Sequence, residues 1–124
     1  MAQNGRFALS LRVLTYLALA PDEMATSTAI AAELKTSPVM VRRTFSALSK
    51  AGFISQRKGP QGGARLKHPA KSIGIGDIYV ATSPWPATGE KGIDAILKRV
   101  GEDAVAAMNE TTLANIAKKT KKPN

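Results

Sequence analysis

The chain has 124 residues, a formal net charge of +9, 44% hydrophobic residues and only 5% aromatics. That suffices for one domain with at most an appendage, on a core of mostly Leu, Ile, Val and Ala. With no Cys and a single His, it excludes disulfides, thiol catalysis, zinc fingers and Cys-ligated iron–sulfur clusters.

Phe7, Leu11, Leu14 and Ala18 recur at helical spacing, and Leu9, Val13, Tyr16 and Leu17 form a second apolar set. A first helix with two apolar sides needs two partners. One is its own domain; the other is either the C-terminal helix or a second subunit. Arg12 interrupts the apolar run, where a signal-peptide core carries no charge, and the run is too short to span a bilayer. It reads as a core helix of a cytoplasmic protein with no membrane association. Pro21-Asp22 ends it.

Thr26, Ser27 and Thr28 offer an N-cap, and Ile30, Ala31 and Leu34 mark one face of a short second helix. After a tight turn at Lys35-Thr36, Ser37-Pro38 starts a third helix with a capping hydroxyl and then Pro at the first helical position. Gly52 closes it with a left-handed cap. Two short helices joined by a brief turn form the helix-turn-helix pattern. Projected at about 100° per residue, Val41, Phe45 and Leu48 form the buried face of the third helix. Val39, Arg43 and Ser46 fall opposite, flanked by Met40 and Arg42. Such a face suits a major groove, where the first turns of a helix reach base edges.

Residues 53–58 and 64–67 read as two strands around a glycine-rich turn, 59–63. This is a wing with cations on both arms. His68, beside Pro69, reads as a surface residue at a strand end; one His without partners makes a poor metal site. A short helix is expected over 75–81, then a loop at 83–89 that marks a domain boundary. Beyond it, Ile93, Ile96, Leu97, Val100, Ala104, Ala107 and Met108 form a continuous helical stripe. One helix cannot cover such a stripe within so small a domain, so burial against a second copy is expected. Ile93, Ile96, Leu97, Val100, Ala104 and Met108 are the dimerisation candidates. A last short helix is expected over 112–117, and the Lys-rich tail, 118–124, is expected to be disordered. There is no internal repeat. The expected organisation is a winged helix-turn-helix domain over 1–82, a linker and dimerisation helices over 83–117, and the tail.

The charge is concentrated. Residues 35–71 hold nine Lys or Arg and no Asp or Glu; elsewhere, apart from four tail Lys, five basic residues face all nine acids. The basic stretch falls on the third helix and the wing, so nucleic acid is the natural partner.

Particular residues go further. Gly5-Arg6-Phe7-Ala8, Ile30-Ala31, Leu48 followed by Ala51-Gly52-Phe53-Ile54, and above all the run from Arg57-Lys58-Gly59-Pro60-Gln61-Gly62-Gly63 to Ala64-Arg65-Leu66 carry a family pattern. Ser72-Ile73-Gly74-Ile75-Gly76-Asp77-Ile78 completes it. The chain resembles the BadM/Rrf-type family of bacterial transcriptional regulators, closely over residues 5–81 and in layout beyond. That family includes an iron–sulfur cluster regulator, a nitric-oxide-sensing repressor and a cysteine-metabolism repressor. The resemblance implies a homodimer on a palindromic operator, with the helix from Ser37 as recognition helix. Lys58 sits where members often carry an Arg that enters the minor groove, and Ser37 matches a helix-start hydroxyl that touches phosphate or base. Gln61 replaces a common Gly and Ala64 a common aromatic, so wing shape is expected to differ. Arg42 stands where some members carry Glu, so the operator is expected to differ. The cluster-ligating Cys residues expected near Ser83 to Gly92 are missing, which removes sensing through Cys ligation there.

The fold class expected is mainly α with a small β-wing: a winged helix-turn-helix plus a long C-terminal dimerisation helix. The function expected is a dimeric, sequence-specific regulator of transcription, a repressor, on double-stranded DNA and without a cofactor. The DNA-binding candidates are Ser37, Val39, Met40, Arg42, Arg43, Ser46, Arg57, Lys58, Gly59, Gln61, Gly62, Gly63 and Arg65. The glycines either let the wing approach DNA or simply make its turn. Trp85 and Tyr79 either line a pocket for an unidentified small-molecule effector or fill the junction. Rival readings are a sequence-tolerant architectural protein, told apart by the ratio of operator to random-DNA affinity, and a protein-interaction adaptor, told apart by a failure to bind any DNA. No nucleophile–base pair, phosphate loop or metal-ligand spacing points to an enzyme.

Overall fold

The computed structural model of the chain describes residues 3–59, 62–83 and 85–120. Six helices and one two-stranded sheet follow in order: α1 (Gln3–Leu19), α2 (Ser27–Leu34), α3 (Pro38–Lys50), β1 (Ile54–Arg57), β2 (Gly63–Leu66), α4 (Ile75–Thr82), α5 (Lys91–Met108) and α6 (Leu113–Lys119). A single 3-10 turn, Ala70–Ser72, precedes α4.

The two apolar sides of α1 make it the centre of the molecule. Leu9, Val13, Leu14 and Leu17 are buried on it. Helices α3, α4 and α6 and strand β2 all pack against it, with Leu113 fully buried and Ile116 packed against the core. The second partner that α1 requires is therefore this last helix of the same chain. Its start is well made: the Thr112 hydroxyl accepts from the Asn115 amide while Asn115 Oδ1 accepts from the Thr112 amide, a reciprocal capping box. Thr112 also bridges to Gly74, tying α6 to the start of α4.

Arg12, the charge inside the apolar run, has a structural use. Its Nη2 donates to the Leu34 carbonyl at 2.7 Å, satisfying an orphan acceptor at the end of α2. Helix α2 begins on Thr26, whose hydroxyl accepts from the Ala29 amide at 3.0 Å, and ends on Lys35 in the left-handed region, φ 57°. The end of α3 is a Schellman turn: the Phe53 amide reaches the Leu48 carbonyl and the Gly52 amide the Ser49 carbonyl, both at 3.0 Å. Gly52 has φ 89°, a conformation that costs a residue with a Cβ. This turn aims the chain directly into β1.

The strands pair antiparallel, Ile54 opposite Leu66 and Arg57 opposite Gly63. Gly63, expected in the turn, is the first residue of β2. A third segment adds to the sheet: Ala25 exchanges two 2.9 Å backbone hydrogen bonds with Ala64. The residue preceding the Thr26 cap of α2 is thereby locked to the wing.

Candidate nucleic-acid interface

The third helix is built from the core outward. The Ser37 hydroxyl accepts from the Met40 amide at 3.2 Å and Pro38 fills the first turn, so the helix start is fixed in sequence. Val41, Phe45 and Leu48 are buried, as the periodicity requires. Each such side chain contributes roughly 1.5–3 kcal/mol when removed from water, which anchors α3 on α1 and α2. The opposite face is left to solvent: Ser37, Val39, Arg42, Arg43 and Ser46 are exposed, and Met40 is half-buried.

The wing follows the same logic. Alternation along the strands sends Ile54 and Ala64 into the core and Ser55, Arg57 and Arg65 outward. Ser55 lies opposite Arg65, so Arg57 and Arg65 share one face. Lys58 and Gly59 are exposed at the end of β1. The glycines divide in role. Gly59 is open and has φ 99°. Gly62 is buried, and a Cβ there would overlap the Arg57 carbonyl. Gly63 has φ 145° and lies against the Ala25 backbone. Gly62 and Gly63 thus serve the close packing of the wing on its own protein. Gln61 and Pro60 lie outside the described residues, as do residues 121–124; Lys118 and Lys119, expected in a disordered tail, instead form the last turn of α6. Ala64, which replaces a common aromatic, is fully buried; its small side chain suits the tight pairing with Ala25.

All nine cations of residues 35–71 are exposed. No acid within that stretch offsets their charge. The wing's bond to Ala25 and the Schellman turn after α3 hold this charge on a stiff frame.

The second surface is the opposite in chemistry. Ile93, Ile96 and Val100 of α5 are 44%, 58% and 48% exposed. Leu97, Ala104 and Met108 are half-buried, and Gly101 is the one fully buried α5 residue. The expected stripe therefore divides into an outward row and a row turned partly toward the rest of the chain. Sequence reasoning offered Trp85 and Tyr79 as fillers of the junction, but not the atoms that hold α5 in place. Trp85 lies against Gly101, where any Cβ would collide with the indole, and its Nε1 donates to the Leu97 carbonyl at 2.7 Å. Tyr79 meets Trp85 edge-on at 6.3 Å and Phe7 at 5.1 Å. Asn109 accepts from the Asp77 amide at 3.1 Å and donates to the Asp77 carboxylate at 3.2 Å, clamping the first turn of α4. Asp94 accepts from the Thr88 amide at 2.8 Å, the Thr88 hydroxyl at 2.9 Å and the Gly89 amide at 3.1 Å. These bonds, the Thr88 amide foremost, hold its carboxyl below the usual range. None of these links has a periodic signature.

Three helices about a helix-turn-helix, a charged wing after the third, and a long helix beyond define a winged helix-turn-helix protein. The family described as Rrf2, iron-dependent transcriptional regulators, matches residues 3–119, and the chain belongs to it. It is a family of transcription regulators, not of enzymes. Among curated relatives, YwnA of Bacillus subtilis (strain 168), whose name places it with HTH-type transcriptional regulators, is 36% identical over 78 residues. That match covers 63% of this chain, and it spans 56% of the relative's length. Solved structures share the fold. CymR, the global cysteine regulator of B. subtilis, has a TM-score of 0.74 at 22% identity, over 94% of this chain and 95% of that one. T. potens IscR has a TM-score of 0.74 at 20% identity, over 94% and 85%.

The family's description names iron, and the donor set here does not fit it. There is no Cys and one His in the sequence. Among the described residues no three of His, Cys, Asp and Glu gather closely enough to hold a metal ion. Asp94, on the loop side of α5, already spends its carboxylate on Thr88 and Gly89. Also among the described residues, no helix is long and apolar enough to cross a membrane.

Proposed function

We propose that this chain is a homodimeric repressor that binds a palindromic operator on double-stranded DNA through α3 and the wing. One observation carries the reading: the outward face of α3 and the outward face of the wing are both exposed, both cationic and free of acids over residues 35–71. Each phosphate contact releases counterions, which supplies sequence-independent affinity. Ser37, Val39, Met40, Arg42, Arg43 and Ser46 present the face that enters the major groove, where Arg reads guanine or grips phosphate. Arg57, Lys58 and Arg65 anchor the wing at the backbone or in the minor groove. The exposed row Ile93, Ile96 and Val100 supports dimerisation, since a second copy would bury it and place two α3 helices on one duplex.

Selection of bound fragments from genomic DNA tests this reading. A two-fold symmetric site, bound at least a thousand-fold more tightly than random DNA at the same salt, is expected. A uniform affinity for all fragments would instead indicate an architectural protein, and no binding at all a protein adaptor.

A further inference from the structure

Between α4 and α5 lies a groove of about 710 Å³, inside the 300–1,000 Å³ typical of small-molecule sites. Tyr79, Val80 and Ser83 line it from one side, Val105 and Ala106 from α5, and Trp85 from the loop. Its walls are largely apolar and partly aromatic, and the Tyr79 and Trp85 rings meet there at 69°, an edge-to-face corner suited to a third ring. Val80 and Trp85 remain 61% and 37% exposed.

Two observations narrow the ligand. The charged side chains on the lining are Asp94, Lys98 and Glu102. Two acids against one base give no pull on an anion, and Asp94 is already occupied by Thr88 and Gly89. With its oxygens turned to Thr88 and Gly89, Asp94 offers a cation little, and Lys98 and Glu102 offset one another, so an uncharged ligand is favoured. Ser83 is only 4% exposed, yet its hydroxyl has no hydrogen-bond partner among the described residues. Its neighbour Thr82, by contrast, donates to the Ile78 carbonyl at 2.8 Å. A buried hydroxyl without a partner is destabilising until something pairs with it. Ser83 belongs to the groove lining, which sets this unpaired hydroxyl beside whatever the groove binds.

The groove is also separate from the proposed dimer surface. Counted at about 100° per residue, Lys98, Gly101 and Val105 lie about 140° around α5 from Ile93, Ile96 and Val100. A second copy seated on that outward row would meet a different side of α5 from the groove.

We propose that this groove binds a small, uncharged, flat aromatic alcohol of the phenol class. The ring lies against Tyr79 and Trp85, and the hydroxyl pairs with Ser83. The site stands independently of DNA binding, so either reading can fail without the other.

The chain's only tryptophan is in the groove, which gives a direct probe. The single indole NH resonance of the 15N-labelled full chain is followed as p-cresol, and separately toluene, is added. Saturable movement with p-cresol is expected, with Ser83→Ala weakening p-cresol at least threefold and leaving toluene unchanged. No saturable movement, or equal p-cresol affinity in Ser83→Ala, overturns the proposal. Should that variant fail to fold, Ala106→Phe, which fills the groove, is expected to abolish the shift; an unchanged affinity overturns it. An apparent affinity that weakens in proportion to chain concentration also overturns it, because a second copy would then occupy the groove.

Discussion

Helices α3 and α5 are both amphipathic, yet they end in opposite conditions. Helix α3 buries Val41, Phe45 and Leu48 within its own chain and shows solvent a cationic face. Helix α5 buries only Gly101 completely and shows solvent Ile93, Ile96 and Val100. The first helix is energetically complete, so its outward charges are available to a ligand. The second is incomplete, because an exposed apolar row remains unfavourable until something covers it. In the proposed dimer the two conditions divide the work: α5 joins the copies and α3 meets the duplex.

The contrast can be broken from either end. The largest effect should come from the completed helix. Phe45→Ala is expected to cost about 3–5 kcal/mol of stability, the range for emptying a buried aromatic site, measured by chemical denaturation. A loss below about 1 kcal/mol would mean that α3 is not anchored through this face. Next, Ile96→Glu with Val100→Glu is expected to leave monomers in sedimentation analysis and to weaken operator binding at least a hundred-fold, about 2.7 kcal/mol. Unaltered dimers would remove α5 from the interface.

The cationic face gives smaller, more discriminating effects. Arg43→Ala is expected to cost about 1–3 kcal/mol and to relax preference at one base pair if Arg43 reads a base. The same loss on every sequence would assign it to the backbone. Lys58→Ala is expected to weaken binding broadly and to lower the salt slope by roughly one unit; an unchanged slope would remove the phosphate contact. The smallest effect concerns the loop before α5. The Asp94 carboxyl is held below its ordinary value of 3.8 by bonds from Thr88 and Gly89. A depressed carboxyl stabilises the fold above its unfolded value, and that contribution disappears as pH falls through the lower folded value. Trp85 emission should therefore shift on acidification below about pH 4, with the shift reduced in Asp94→Asn. Identical acid titrations in both chains would show that Asp94 does not hold this loop.

Much of α3 was legible in the sequence because its signals are local. Ser37-Pro38 marks the start, Gly52 the end, and the spacing of Val41, Phe45 and Leu48 gives the buried face. The exposure of Arg42, Arg43 and Ser46 follows from the same projection. The wing was legible as two strands and a turn. The work of Gly62 and Gly63 was not, because it depends on the Arg57 carbonyl and on Ala25, a residue far away in the chain. Arg12 was read only as a charge that disqualifies a signal peptide; its bond to Leu34 joins two helices and leaves no trace in either helix's pattern. Trp85 against Gly101 and Asn109 against Asp77 are of the same kind. Periodicity reports which face of a helix is buried, not which atom a polar side chain finds across the fold.

The stoichiometry and symmetry of the complex on a genomically selected duplex test the reading most directly. Sedimentation of the full chain with that duplex, paired with hydroxyl-radical footprinting, reports both at once. Two chains per site and protection related by a two-fold axis are expected. One chain per site, asymmetric protection, or no sequence preference would contradict it.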